Sequence, residues 1–441
     1  MRRCVAMLAL GLLAACGGGG GGAPTQPDGP SGTTLQRGVP LVLSTAGESL
    51  TVTGLGGDDL VLVLSSEANP TGQAQVTVNG GQQELPQLGV GRERAGLRRD
   101  PARPVVPQPL PTLRRQDEER TFLLGGIGFF TSVSAALRYG GEHGLFYVDF
   151  DTPAADLTDA QLAELGSSFD QQIYSTVVSL FGEPSDIDDN GRVLVLFTPW
   201  VNRRGYGVFS PGDLAPTGGN QADMIYSLVP QPDQGKDYAT LRDGLLATLA
   251  HELQHLVNYH QKHLLAGLGG EESWLNEGLS FCAEQAGGWL DSPGGSPENV
   301  AAYFAAPERY PLVELTGNYQ DGHVGASYLF VRYLADRFGD EVFRRLATSA
   351  LTGRANVAAA TGADFGLLLR DWSAALYLSV SGLSTDPRYR ISGFDTHGTY
   401  THGGALTGPA LSQVDASSGA PSFRAGLARA GLRFIRLSAV P

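Results

Sequence analysis

The chain has 441 residues, 42% of them hydrophobic, and a formal charge of −14 at pH 7, with 31 Lys and Arg against 45 Asp and Glu. That length allows two or three domains and at least one large core. The negative charge favours solubility and repels polyanions, which argues against a nucleic-acid partner.

The first fifteen residues read as a leader. A short basic start, MRR, precedes the apolar run VAMLALGLLAA, too short to span a membrane as a mature helix. Leu13-Ala14-Ala15-Cys16 resembles the bacterial lipobox, in which the cysteine is lipidated and becomes the new first residue. The plainer alternative is an ordinary secretory signal cleaved nearby. Under the first reading residues 1–15 are removed and Cys16 carries the acyl chains. These hold the protein on a bilayer in the bacterial cell envelope, outside the cytoplasm, on the outer membrane or cell surface. Cys4 departs with the leader and Cys282 is left alone, so no internal disulfide is available and stability must come from the core or a metal.

Residues 16–34, rich in Gly, Pro, Ser and Thr, form a flexible tether. Over 35–85 the runs PLVLST, DLVLVLSS and AQVTVNG alternate β-formers with turn residues and predict a small β-domain. The segment 86–118, Pro- and Arg-rich without periodicity, reads as a linker, with a cleaved pro-segment as the alternative. The region 119–382 is assigned as one catalytic domain. In it LFYVDFD and RVLVLF are strands, and Leu162, Leu165, Phe169, Ile173, Val177 and Leu180 share one helical face capped by Thr158 or Asp159. Further helices are predicted over 240–264, 276–288, 323–338 and 362–380, which with the strands makes the class α+β. The Gly- and Ser-rich tail, 383–441, ends in LRFIRLS, a strand pattern able to pair with the N-terminal β-domain.

The chemistry sits in LLATLAHELQHLVNYHQK. His251 and His255 are four apart, so on a helix both imidazoles aim at one point, an arrangement suited to zinc. Glu252 lies beside that point, where it can hold a water instead of the metal. This is the H-E-x-x-H pattern; two core histidines satisfied by hydrogen bonds are the bland alternative. A third ligand within the same helix fails, because Asn258 and Gln261 stand where a Gly and a His would be required. His260 and His263 drift off the ligand face towards solvent. Downstream, EESWLNEGLSFCAEQ offers Glu277, 22 residues after His255, far enough for a turn and an antiparallel return. Trp274, Leu275, Leu279 and Phe281 can pack this second helix on the first. Glu284, two turns after Glu277, reads either as a hydrogen-bond partner of a ligand imidazole or as an exposed acid, and Asn276 is a further supporting candidate.

These segments, HELQHLVNYHQK followed by ESWLNEGLSFCAE, resemble the hyicolysin-type family of secreted bacterial zinc metallopeptidases, within the gluzincin (thermolysin-like) group. The resemblance extends over roughly residues 120–380. It implies one zinc on His251, His255 and Glu277, Glu252 as general base, peptide substrates, and a two-lobed fold with both motif helices flooring the cleft. Gluzincins place a His or Tyr to stabilise the oxyanion; TGNYQDGHVGASYLF supplies His323, then Tyr319, with Tyr328 behind them. The Gly-x-Met-Glu-Asn amine anchor of the group's aminopeptidases is absent, since Met224 in ADMIYS is the one methionine beyond the leader, and this favours an endopeptidase. A non-catalytic binding or adhesive lipoprotein with a structural metal site, and an aminopeptidase, are the competing readings. Finally, Asp186, Asp188 and Asn190 match the start of a calcium loop, but Phe197 occupies the position where an EF-hand closes with Glu, so a polar turn competes with a Ca²⁺ site.

Overall fold

The computed structural model describes six strands before residue 78 (5–12, 33–34, 41–43, 52–53, 59–66 and 74–77) and then residues 119–126, 129–313, 319–379, 383–415, 422–425 and 430–438. Cys16, most of the 16–34 tether and the whole 86–118 linker lie outside the described residues. None of the described helices is long and apolar enough to cross a membrane.

The fold is mixed α and β, in two compact units. One gathers Met1–Val90, Glu298–Gly339 and Val357–Pro441; the other Gly91–Pro297 and Asp340–Asn356. This division differs from the single 119–382 domain read from the sequence. Its cause is long-range packing: the Phe365–Leu378 helix lies on the Asp59–Ser66 strand, which draws the chain's last third to its first.

In that first unit a five-stranded sheet runs in the order Ser412–Asp415, Leu432–Ser438, Asp59–Ser66, Val5–Leu12, Leu41–Leu43. The LRFIRLS strand pairs antiparallel with DLVLVLSS, Phe434 opposite Val63, so tail and N-terminal β-region form one sheet. The apolar run read as the core of a leader is a strand in this chain, pairing parallel with Asp59–Ser66. An apolar, hydrogen-bond-hungry segment meets its backbone needs that way.

The second unit holds the motif helices. Its six-stranded sheet runs Gly207–Phe209, Met224–Ser227, Val193–Phe197, Gly144–Asp149, Phe129–Gly140, Glu119–Gly126. Met224–Ser227, Val193–Phe197 and Gly144–Asp149 are parallel and buried, as the unbroken VLVLF and GLFYVD runs require. Helices α1 (Asp159–Ser168) and α2 (Tyr174–Phe181) are joined by a π-helical turn, Phe169–Ile173. Thr158 caps α1 in a capping box with Gln161. The wide turn explains why the buried face ends on Phe181 and leaves Leu180 half-exposed: one residue per turn is added to the helical period.

Helix α3 (Tyr238–Tyr259) is capped by Asp237 and packs between the sheet and α4 (Ser273–Ala286). Its leucines 241, 245, 246, 249, 253 and 256 are all buried. Trp274, Leu275 and Leu279 are fully buried on α4. At roughly 1.5–3 kcal/mol for each large apolar side chain, this interface outweighs any one polar contact in it.

Candidate metal centre

Helices α3 and α4 bring His251, His255 and Glu277 together, with one ligand atom from each lying within 4.8 Å of the others. His251 Nε2 is 3.5 Å from Glu277 Oε2, and His255 Nε2 is 3.6 Å from Glu277 Oε1. Tetrahedral zinc with ligands at 2.0–2.1 Å places its ligand atoms about 3.4 Å apart, so the donor set and spacing fit that ion. All three side chains are mostly withdrawn from water, Glu277 the most exposed at 28%.

The far side of each ring is already engaged. His251 Nδ1 lies 2.7 Å from Glu284 Oε1, a carboxylate 6% exposed, which makes Glu284 a buried partner of the ring and not a surface acid. His255 Nδ1 lies 3.1 Å from Ser280 Oγ. A neutral imidazole that donates from Nδ1 offers its Nε2 lone pair to a cation. Asn276 contributes less: its side-chain amide favours the charged form of His255, but its Oδ1 is buried without a hydrogen-bond partner. The Phe281 ring meets His251 edge-on at 4.9 Å and closes one side.

The electrostatics are those of a buried cation site. Burial holds His255 down at about 4, against the pull of Glu277. Burial also opposes protonation of His251, but Glu277, Glu284 and Glu252 overcome it and hold that ring well above the ordinary histidine range. In Glu277 burial is outweighed by the two rings, and its carboxyl is lowered. Burial raises Glu284. Glu252, 7% exposed, is pushed up to about 7 by burial, with Glu277 and Glu284 adding to it. The backbone N–H of Phe209, on the sheet's edge strand, donates to the Glu252 carboxylate.

Two further features hold this arrangement and were invisible as spacing. Gly207, on the same edge strand, has room for no side chain: a Cβ there would strike Thr248 Cγ2 and lie 2.7 Å from Glu252 Oε1. Beyond α3, Lys262 is fully buried; its Nζ donates to Ser349 O and Leu351 O and lies 3.3 Å from Glu271 Oε2. Glu271 in turn accepts from Gly353 N and Asn356 Nδ2 just before α4 begins. His263 is exposed, and His260 Nδ1 faces Glu183 O.

His323 and Tyr319 belong to the other compact unit. His323, 4% exposed, accepts from Gln320 N at the start of the Asp321–Phe338 helix, and Tyr319 Oη lies 2.8 Å from Ser327 Oγ.

Asp186 and Asp188 gather with Asp223, which the sequence reading did not single out, each offering a carboxylate oxygen within 4.8 Å of the others. Asn190 Nδ2 donates to Asp188 Oδ2 and its Oδ1 accepts from Arg192 N, so its amide also supports the turn.

No family model matches the chain. Among curated proteins it is similar to a neutral metalloprotease, ShpI, of Staphylococcus hyicus, 29% identical over 234 residues. The match takes in 48% of this chain and 50% of the relative, so the chain spans about half the length of that protein. Among solved structures, a two-domain M1 zinc metallopeptidase mutant bound to L-arginine superposes with a TM-score of 0.29 and 14% identity, over 80% of this chain and 66% of that one. An M1 zinc metallopeptidase mutant from Deinococcus radiodurans, bound to a Tyr-Ser-Ala substrate, gives 0.31 and 16%, over 76% and 67%. Superpositions this loose do not establish a shared fold.

Proposed function

We propose that this chain is a zinc-dependent peptidase, and more narrowly an endopeptidase, with His251, His255 and Glu277 as ligands and Glu252 as general base. One observation carries the reading: two imidazole Nε2 atoms and one carboxylate converge at zinc-ligand spacing while both Nδ1 atoms are tied behind them. Similarity to a protein named as a neutral metalloprotease supports the same class.

Zinc on those ligands would supply a Lewis acid that polarises a peptide carbonyl and acidifies an attacking water. Glu252 takes that water's proton and returns it to the leaving amine. The donor to the oxyanion is proposed from the sequence, His323 first and Tyr319 second. Export and anchoring through Cys16 are proposed on the lipobox resemblance, and mass spectrometry of the N-terminal peptide from membranes would read the acyl adduct directly.

The test is metal content of the purified chain together with hydrolysis of casein, with and without a zinc chelator. One zinc per chain and chelator-sensitive proteolysis are expected. A folded chain that takes up no zinc, or chelator-insensitive proteolysis, sinks the proposal. Zinc without any hydrolysis would favour a binding lipoprotein. Equal cleavage of N-terminally blocked and free peptides is expected of an endopeptidase; a requirement for the free amine would make it an aminopeptidase.

A further inference from the structure

We infer that Ser280 is a positioning residue for His255: its hydroxyl fixes the imidazole hydrogen on Nδ1 and so keeps Nε2 open to the metal. The inference rests on the metal site proposed above.

Ser280 lies on α4, three residues after Glu277, fully buried and turned towards α3. Its Oγ has three neighbours: Gln254 Oε1 at 2.5 Å, Asn276 O at 3.1 Å and His255 Nδ1 at 3.1 Å. A hydroxyl has one hydrogen and two lone pairs. Two of the neighbours are oxygens that only accept, so the hydrogen goes to one of them. What Oγ has left for His255 is a lone pair, and a lone pair must be met by Nδ1–H. A neutral ring protonated on Nδ1 has its free pair on Nε2, the atom 3.6 Å from Glu277 Oε1. Turning the Gln254 amide end over leaves the outcome unchanged. Its Nε2 would then donate to Oγ, the hydroxyl hydrogen would go to Asn276 O, and a second lone pair would still face the ring.

The two rings are thus wired differently. His251 donates to a carboxylate, a strong acceptor that would hold its tautomer by charge. His255 depends on a neutral hydroxyl whose direction is set by Gln254, itself fully buried. Losing the hydroxyl leaves the Asn276 side chain as the remaining polar neighbour of the His255 ring and admits the tautomer whose Nε2–H excludes a cation.

The experiment uses the full chain and zinc alone, with affinity read by chelator competition at fixed pH and the metal-free protein followed by thermal melting. Ser280→Ala is expected to weaken zinc about 10- to 100-fold, the usual cost of removing such a partner, with a metal-free melt lowered only modestly by the loss of the Gln254 contact. Ser280→Thr, which keeps the hydroxyl, is expected to stay within about threefold of the parent. In ¹⁵N-histidine spectra of the zinc-loaded parent, His255 should carry its hydrogen on Nδ1. A parent chain that binds no zinc overturns the metal site itself. A parent that binds while Ser280→Ala binds equally well overturns this inference alone. Should the melt of Ser280→Ala fall further, the Thr variant decides: if it weakens zinc as much as Ala does, packing and not the hydroxyl is responsible, and the inference fails.

Discussion

Two clusters in the same compact unit each draw three potential ligand atoms within 4.8 Å, and they differ in what is left over. Around His251, His255 and Glu277, the hydrogen bonds run away from the centre: both Nδ1 atoms face partners behind the rings, and both Nε2 atoms face the Glu277 carboxylate. Around Asp186, Asp188 and Asp223, hydrogen bonds from the loop already reach most of the carboxylate oxygens, Asp188 Oδ1 excepted. Asp186 accepts from Asn190 N and Gly191 N, Asp223 from Ser185 Oγ and Ile187 N, and Asp188 from Asn190 Nδ2. Convergence of acids therefore does not define a metal centre; lone pairs facing one point on rigid helices do. The first cluster is built like a site. The second has its hydrogen bonds within a turn.

The sharpest separation comes from Glu252. Glu252→Gln keeps the shape of the site and removes its base, so zinc content should stay at the parent's level while kcat for casein or a peptide falls about 10²- to 10⁴-fold. Parent-like turnover in that variant would remove the mechanism. Next in size is the clamp behind the helices. Lys262→Met leaves the Glu271 carboxylate buried without its cation, which costs about 3–5 kcal/mol. The thermal midpoint should drop by many degrees and zinc affinity with it, because the Glu271 network joins the end of α3 to the start of α4. The double variant with Glu271→Gln should recover part of that loss, and a single variant as stable as the parent would show the pair to be incidental. Third, Gly207→Ala inserts a methyl group against Thr248 and Glu252. A displacement of the base by about 1 Å can cost about 10²-fold in rate, with zinc unaffected. Adding Thr248→Ser, which deletes the obstructing methyl but keeps its Oγ bond to Gly244 O, should restore part of the rate; no loss in Gly207→Ala would mean that the strand yields easily.

The difference between the clusters also governs how much of each could be read from the chain. His251, Glu252 and His255 are legible because helical spacing alone fixes their mutual direction, and Glu277 because one turn and an antiparallel return suffice to bring it back. Ser280, Gly207 and Lys262 carry no such period. A small hydroxyl on a buried helix face, a glycine in a three-residue strand and a lysine after a helical motif acquire meaning only when another element arrives beside them. Asp223 is hidden likewise, since it lies 35 residues beyond Asp188 and reaches it through parallel strand pairing. For the fold, the long amphipathic and apolar runs were legible, including the LRFIRLS strand. The Phe169–Ile173 π-turn and the division of the chain into interleaved units were not, because both follow from packing between distant segments.

The smallest effect tests the second cluster's character. Asp188 is raised to about 6, first by burial and then by Asp223, and its Oδ1 is buried without a hydrogen-bond partner. A group whose folded pKa exceeds its unfolded value contributes stability that is complete below about pH 4, and loses it as pH rises through about 6. At neutral pH the ionised form is thus a liability in cation-free buffer. Because the side chain is only partly buried, solvent screening reduces the effect to about 1 kcal/mol. Asp188→Asn should accordingly raise the thermal midpoint at pH 7 by a few degrees in chelator-treated buffer and leave it unchanged at pH 4. If the variant is instead less stable than the parent at pH 7, the ionised carboxylate is compensated in solution and the turn holds more than its own hydrogen bonds. Millimolar calcium sharpens the contrast: a bare turn gives the same difference with or without it, whereas a cation site would stabilise the parent selectively and reverse the sign.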